Sequence, residues 1–135
     1  MNPKALYHPL ILQHSKQPVR YGQRSDAPQT LEAYNPLCGD RFQVYVALAE
    51  GQVVELSFYG HGCAVSKAST SVLVETLQGK TVAEARHLAD RFIAMIEKGA
   101  APALDAFAPF AAARDFPGRK SCATLPWTAW LEAAD

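Results

Sequence analysis

The feature that most constrains the fold of this chain is Tyr59-Gly60-His61-Gly62-Cys63, where the hydrophobic period changes from two to about 3.6. Before it, Val54, Leu56 and Phe58 alternate with Val53, Glu55, Ser57 and Tyr59, the pattern of a half-buried strand. After it, Val65, Ala68, Ser69, Val72, Leu73 and Leu77 line one helical face until Gly79 ends it. Two glycines around a single residue allow an abrupt strand-to-helix turn, which puts Cys63 at a helix start. Unpaired N–H groups and the helix dipole favour an anion there, so the Cys63 thiol is expected to be lowered toward the thiolate. Ser66, Ser69 and Ser71 read as packing and capping residues, because no acid–His pair stands beside them.

The rest of the chain follows from that junction. Phe42, Val44, Val46 and Leu48 alternate with Gln43, Tyr45, Ala47 and Ala49, and Glu50-Gly51 turns this strand back into the next, predicting an antiparallel hairpin. Thr30–Tyr34 is a candidate first strand, preceded by a polar loop over 19–29 and a short helix from Pro3 to about Gln17 that Pro18 stops. Thr81 and Glu84 form a capping box for a second helix, with Val82, Ala85, Leu88, Ala89, Phe92, Ile93 and Ile96 as its stripe and Gly99 as its end. The Ala- and Pro-rich stretch 100–118 reads either as a short helix over Ala103–Ala113, with Leu104, Phe107 and Phe110 in the core, or as a loosely packed connection. A last helix is predicted over Lys120–Ala134, with Cys122 in its first turn. Pro126 would cost about 3 kcal/mol in a helix interior, so that helix should start closer to Pro126 or bend there. Together the elements predict an α+β fold, a small three-stranded antiparallel sheet with helices on one face.

The 135 residues fit a single domain, 1–135, with one core. Lys plus Arg and Asp plus Glu both number 13, a balance that favours neither a nucleic-acid partner nor an anionic membrane surface. No apolar run suits a signal peptide or the ~20 residues of a membrane span, and a cytoplasmic protein is expected. Three widely spaced cysteines do not make a disulfide framework; in a reducing compartment such residues are more often metal ligands or reactive thiols.

Cys38 and Asp40 flank Gly39 on a turn that Pro36 keeps out of regular structure. Alone, this C-x-D would be an inert Cys and a capping Asp. With Cys63 and Cys122 from two other element starts, three thiols and one carboxylate complete the four-ligand set zinc favours. His61 is a rival fourth ligand, although a His between two glycines on a surface turn is more often solvent-exposed. His8, His14 and His87 read as ordinary helix-face residues.

Three segments resemble the signature runs of the NifU/IscU-type iron–sulfur assembly family: Asn35–Asp40, Gly60–Ser66 with Ala68 and Ser71, and Arg119–Leu125 with Trp127. Tyr7, His14, Pro18 and Gly22 resemble that family's opening helix and loop. The SufU branch is the nearest likeness. Scaffolds of the IscU kind usually carry a His before the third cysteine and a Leu-Pro-Pro-Val-Lys segment upstream; this chain has Ser121 and Asp115–Gly118 there. The long interval between Cys63 and Cys122 also resembles a SufU insertion, whereas Pro126 departs from the family's last helix.

The resemblance implies a SufE/NifU-like fold and a Zn²⁺ site of Cys38, Asp40, Cys63 and Cys122. It further implies that Cys38 is the catalytic acceptor, taking persulfide sulfur from a SufS-type cysteine desulfurase on the way to downstream iron–sulfur assembly proteins. A scaffold that builds a 2Fe–2S cluster, or binds iron, on the same ligands is the alternative, and a zinc domain that only binds a partner is a third reading. Arg119 matches a basic position of the family and is either a thiolate-steadying cation or a surface residue.

Overall fold

The computed structural model describes residues 6–133. Helix α1 (Pro9–Lys16) leads to strands β1 (Gln29–Asn35), β2 (Asp40–Ala49) and β3 (Gln52–His61). These are followed by α2 (Ala64–Leu77), α3 (Val82–Lys98), a 3₁₀ helix (Asp105–Asp115) and α4 (Pro117–Glu132). Residues 3–5 of the predicted first helix and Ala134 of the predicted last one lie outside the described residues. The sheet is antiparallel in the order β1-β2-β3, with five helices packed against it, an α+β architecture.

Glu50 and Gly51 both have positive φ (52° and 75°), the geometry of the two-residue turns whose twist suits a hairpin. One residue of the pattern departs from expectation. Ala47 pairs with Glu55 but Leu48 pairs with Val53, so Val54 is a bulge without a cross-strand partner. The extra residue reverses the alternation: Val53 is fully buried, whereas Val54 is 53% exposed and Leu48 lies exposed at the sheet's end. Val53 is held in place by exchanging backbone hydrogen bonds with Lys80 O (2.8 Å) and Gly79 N (2.7 Å).

Helix α2 is buried on nearly all sides instead of on one face. Its small residues let α1 and α4 approach closely, and the buried hydroxyls find partners at once. Ser69 Oγ donates to Ala123 O (2.5 Å) and accepts from Trp127 Nε1 (2.9 Å), and Ser71 Oγ accepts from Val19 N–H (2.9 Å). His14, predicted on an ordinary helix face, is buried instead, its Nδ1 2.7 Å from Ser71 Oγ. α3 has the predicted capping box at Thr81 and Glu84 and ends at Gly99 with φ 76°.

The 3₁₀ helix turns every three residues, so Phe107, Phe110 and Ala113 form one stripe, and all three are fully buried. Leu104, a predicted core residue, precedes that stripe and is 38% exposed. α4 begins earlier than predicted, because Pro117 occupies the first turn, where its missing N–H costs nothing. Cys122 therefore sits in the second turn, and Pro126 lies inside the helix, buried. Pro126 cannot donate to the carbonyl four residues earlier, and the Ser69 hydroxyl serves the adjacent Ala123 carbonyl in the same turn.

Candidate metal centre

The register of the hairpins builds the centre. Asn35 and Asp40 are the last pair between β1 and β2, so residues 36–39 form the connecting loop, with Gly39 at φ 78°. Cys38 N–H and Gly39 N–H return to the Asn35 carbonyl at 3.3 and 2.8 Å. On the far side of β2, Phe42 pairs with Gly60 and Arg41 with His61. A Cβ on Gly60 would meet the Arg41 carbonyl and Phe42 Cα, and one on Gly62 would lie 2.6 Å from Ser66 Oγ and 2.8 Å from the Phe42 ring. Only glycine lets the chain pass this closely over Phe42 and deliver Cys63 beside Asp40.

Cys63 is the N-cap of α2, its Sγ accepting from Ser66 N–H at 3.4 Å. Asp40 is 4% exposed; its Oδ1 accepts from Cys63 N–H (3.2 Å), and its Oδ2 lies 3.2 Å from Cys122 Sγ and 3.9 Å from Cys63 Sγ. The ligand atoms of Asp40, Cys63 and Cys122 all fall within 4.8 Å of one another. Cys38 is exposed on its turn and stands outside this group of three. His61 alternates onto the exposed outer face of the sheet, edge-on to Tyr59 with ring centroids 5.7 Å apart, and is not in the group either.

The charges of this corner call for a cation. The neighbouring Cys122 thiol lowers the Cys63 thiol from the ordinary 9.0 to about 5; burial opposes the shift and the Ser66 hydroxyl and N–H add to it. Cys122 is pushed up by the neighbouring Cys63 sulfur, and burial and the Asp40 carboxylate act in the same direction. An acid-shifted thiol and a buried carboxyl group thus sit together, and no ion pair among the described residues neutralises Asp40. Such a pair is costly unless a cation joins it. Two sulfurs and one oxygen suit zinc or iron better than magnesium or calcium. Arg119, on the exposed first turn of α4, is held more firmly protonated by the neighbouring Cys122 and Cys63 sulfurs. With Leu6, Tyr7, Cys63, Ala64 and Val65 it lines a cavity of about 60 Å³ beside Cys63.

The Asn35 carboxamide also takes part, and its Asn-Pro setting in the sequence was the available signal for a side chain folding back on its own turn. Its Oδ1 accepts from Leu37 N–H (3.1 Å), and its Nδ2 donates to Ser121 Oγ (3.2 Å).

Residues 6–123 match the NifU-like N-terminal domain model. The chain belongs to that family. Over 131 residues, 95% of this chain and 82% of the relative, it is 36% identical to the iron–sulfur cluster assembly scaffold protein IscU of Streptococcus pyogenes serotype M1. It is 33% identical to the zinc-dependent sulfurtransferase SufU of Bacillus subtilis, covering 95% of this chain and 88% of that one. A crystal structure of a candidate SUF-system scaffold protein from Fervidobacterium islandicum AW-1 superposes on this NifU-like chain with a TM-score of 0.87. The two are 30% identical, with 96% of each chain covered. Among the described residues, no helix is long and apolar enough to cross a membrane.

Proposed function

We propose that this chain, acting as one NifU/IscU-like domain over residues 1–135, is a cytoplasmic iron–sulfur cluster biogenesis protein. In this reading it is a zinc-bound sulfur acceptor serving a SufS-type cysteine desulfurase and passing sulfur to downstream assembly proteins. The observation that carries it is an exposed cysteine, Cys38, on the turn that leads into Asp40, one member of a largely buried group of one carboxylate and two thiols. Cys38, Asp40, Cys63 and Cys122 would hold the zinc, which, when bound, keeps its thiol ligands deprotonated at neutral pH.

The chain's own residues divide the work. Asp40, Cys63 and Cys122 are fixed by the sheet register, the α2 N-cap and α4, and they stay in place. Cys38 lies at the exposed tip of a turn and can present its sulfur to a partner. Its thiolate attacks the outer sulfur of the desulfurase persulfide; a new S–S bond forms to Cys38, the partner's S–S bond breaks, and the electron pair leaves with the partner's thiolate. Arg119, near Cys63 and Cys122, supplies positive charge on the face that receives this anion.

A scaffold that assembles a 2Fe–2S cluster on the same ligands is the second reading, favoured by the 36% identity to a relative named as a scaffold. Protein purified without chelator decides between them. Zinc acceptance predicts colourless protein holding zinc and, after incubation with the desulfurase and free cysteine, extra sulfur on the Cys38 peptide in mass spectra of thiol-blocked digests. Brown protein after anaerobic reconstitution, with sulfur mainly on Cys122, supports the scaffold. Zinc without persulfide on any cysteine leaves a structural zinc domain.

A further inference from the structure

The Cys38 turn and the Cys122 helix come from opposite ends of the chain, and one polar contact outside the ligands joins them. Asn35 is 7% exposed, and both ends of its carboxamide are engaged. Because Leu37 N–H needs an acceptor, Oδ1 faces the turn and Nδ2 faces α4, where it meets Ser121 Oγ; that hydroxyl in turn points at Gly118 O (3.4 Å). The Asn35 carbonyl already receives the Cys38 and Gly39 N–H groups, so the turn is rooted on this single residue. Apart from the contact between Cys122 and Asp40, the Asn35–Ser121 bond is the one hydrogen bond among the described residues between the β1–β2 hairpin and α4.

We infer that Asn35 and Ser121 form a latch that sets the reach of Cys38: by tying the root of its turn to the residue preceding Cys122, they hold the exposed thiol within range of the metal while its tip stays free. Asn35 and Ser121 are positioning residues. The inference rests on Cys38 being the fourth ligand, and its consequence is local: without the latch, Cys38 spends more time off the metal, whereas Cys63 and Cys122 are unaffected.

The test measures alkylation of each cysteine by iodoacetamide, peptide by peptide, in zinc-loaded and zinc-free full-length protein. Ser121→Ala removes the latch at an exposed position without touching the bonds inside the turn, and Ser121→Thr keeps the hydroxyl. In the zinc-loaded state Ser121→Ala should alkylate at Cys38 about fivefold faster than the parent, the factor carried by one hydrogen bond of ordinary strength. Ser121→Thr should match the parent, and all three proteins should agree without zinc. Equal Cys38 rates in Ser121→Ala and a zinc-protected parent overturn the latch alone. Faster alkylation of all three cysteines in Ser121→Ala overturns it as well, since that marks general opening. A parent whose Cys38 zinc does not protect removes the fourth ligand, and with it both the latch and the proposed zinc site.

Discussion

Two regions share helix α4 and are built on opposite principles. Around Cys122, the centre is made of glycines, a buried carboxylate, thiols and an exposed turn. Five residues on, about 7.5 Å along the axis, Trp127 lies in an aromatic box. There it stacks on Phe92 with ring centroids 4.5 Å apart and planes 14° apart, while Phe107 stands edge-on to both rings at 5.0 and 5.1 Å. Phe110 closes the box against Phe92 at 5.6 Å, and all four rings are fully buried. Packing in the box carries stability, and the centre spends some of that stability on a cluster of negative charge. One helix, held by aromatic contacts at Trp127, can thus place Cys122 beside Asp40 without relying on the centre to hold it.

The comparison breaks most visibly if the box is emptied. Trp127→Ala should cost about 3–5 kcal/mol in denaturant unfolding of the metal-free protein, because a large cavity opens and the Ser69 hydroxyl loses its donor. A loss below 1 kcal/mol would mean the box does not anchor α4. Gly62→Ala comes next: its Cβ crowds the Phe42 ring and Ser66 Oγ, and about 1–3 kcal/mol of destabilisation should accompany weaker metal retention. Here fold and site are coupled through a backbone position, and a variant that kept zinc as tightly as the parent would uncouple them.

Asp40→Asn sharpens the contrast from the other side. The amide oxygen can still accept from Cys63 N–H, but the charge is gone, so zinc retention in a chelator competition should fall at least about tenfold, in line with losses at supporting metal-site residues. Unfolding of the metal-free variant should stay close to the parent or improve, because a buried acidic group without an ion-pair partner is removed while the Cys63 N–H keeps its acceptor. Marked destabilisation instead would make Asp40 a turn-capping residue.

The last contrast is in pH. Nothing in the aromatic box titrates, so acid sensitivity of the metal-free fold belongs elsewhere. Cys63 has its folded pKa depressed from 9.0 to about 5, so the stability it contributes is complete above about pH 9 and is lost as the pH falls through about 5. Cys122, raised, acts in the opposite sense and only as the pH climbs past 9.0. Burial lowers His14 below the ordinary 6.5, against the pull of Glu75, so the unfolded chain takes the proton first and stability falls further as the pH drops below 6.5. Melting temperatures measured from pH 8.5 to 5 should decline; Cys63→Ser should flatten most of the slope, and His14→Gln only the part below pH 6.5. A level profile in the parent would contradict both assignments.

Much of this architecture was legible because its signals are local. The hairpin turn at Glu50-Gly51, the capping box at Thr81 and Glu84, the stop at Gly99 and the strand-to-helix switch ahead of Cys63 each depend on a few neighbouring residues. The bulge at Val54 was not legible, because an unbroken run of Val53 and Val54 reads equally well in either parity; pairing with Lys80 and Gly79 decides it. The all-round burial of α2 was likewise hidden, since serine patterns do not reveal which distant backbone groups will satisfy them. At the candidate site, the residue types of Asp40, Cys63 and Cys122 could be read from the chain, but their approach to one another, with Cys38 left exposed, could not.

By itself the sequence determined the order and kind of the elements outside 100–118, the glycine junction that starts α2 at Cys63, and the thiols and carboxylate available for chemistry. These follow from backbone sterics, capping and hydrophobic period, which act over one or two turns. Only the tertiary structure decided that Pro126 would lie buried inside α4, next to a turn whose Ala123 carbonyl accepts from the Ser69 hydroxyl of α2, and that His14 would be buried against Ser71. It also brought Asn35 to Ser121, 86 residues away. Such contacts depend on which surfaces meet when the common core closes, and the same side chains carry no local sign of the partner they will find.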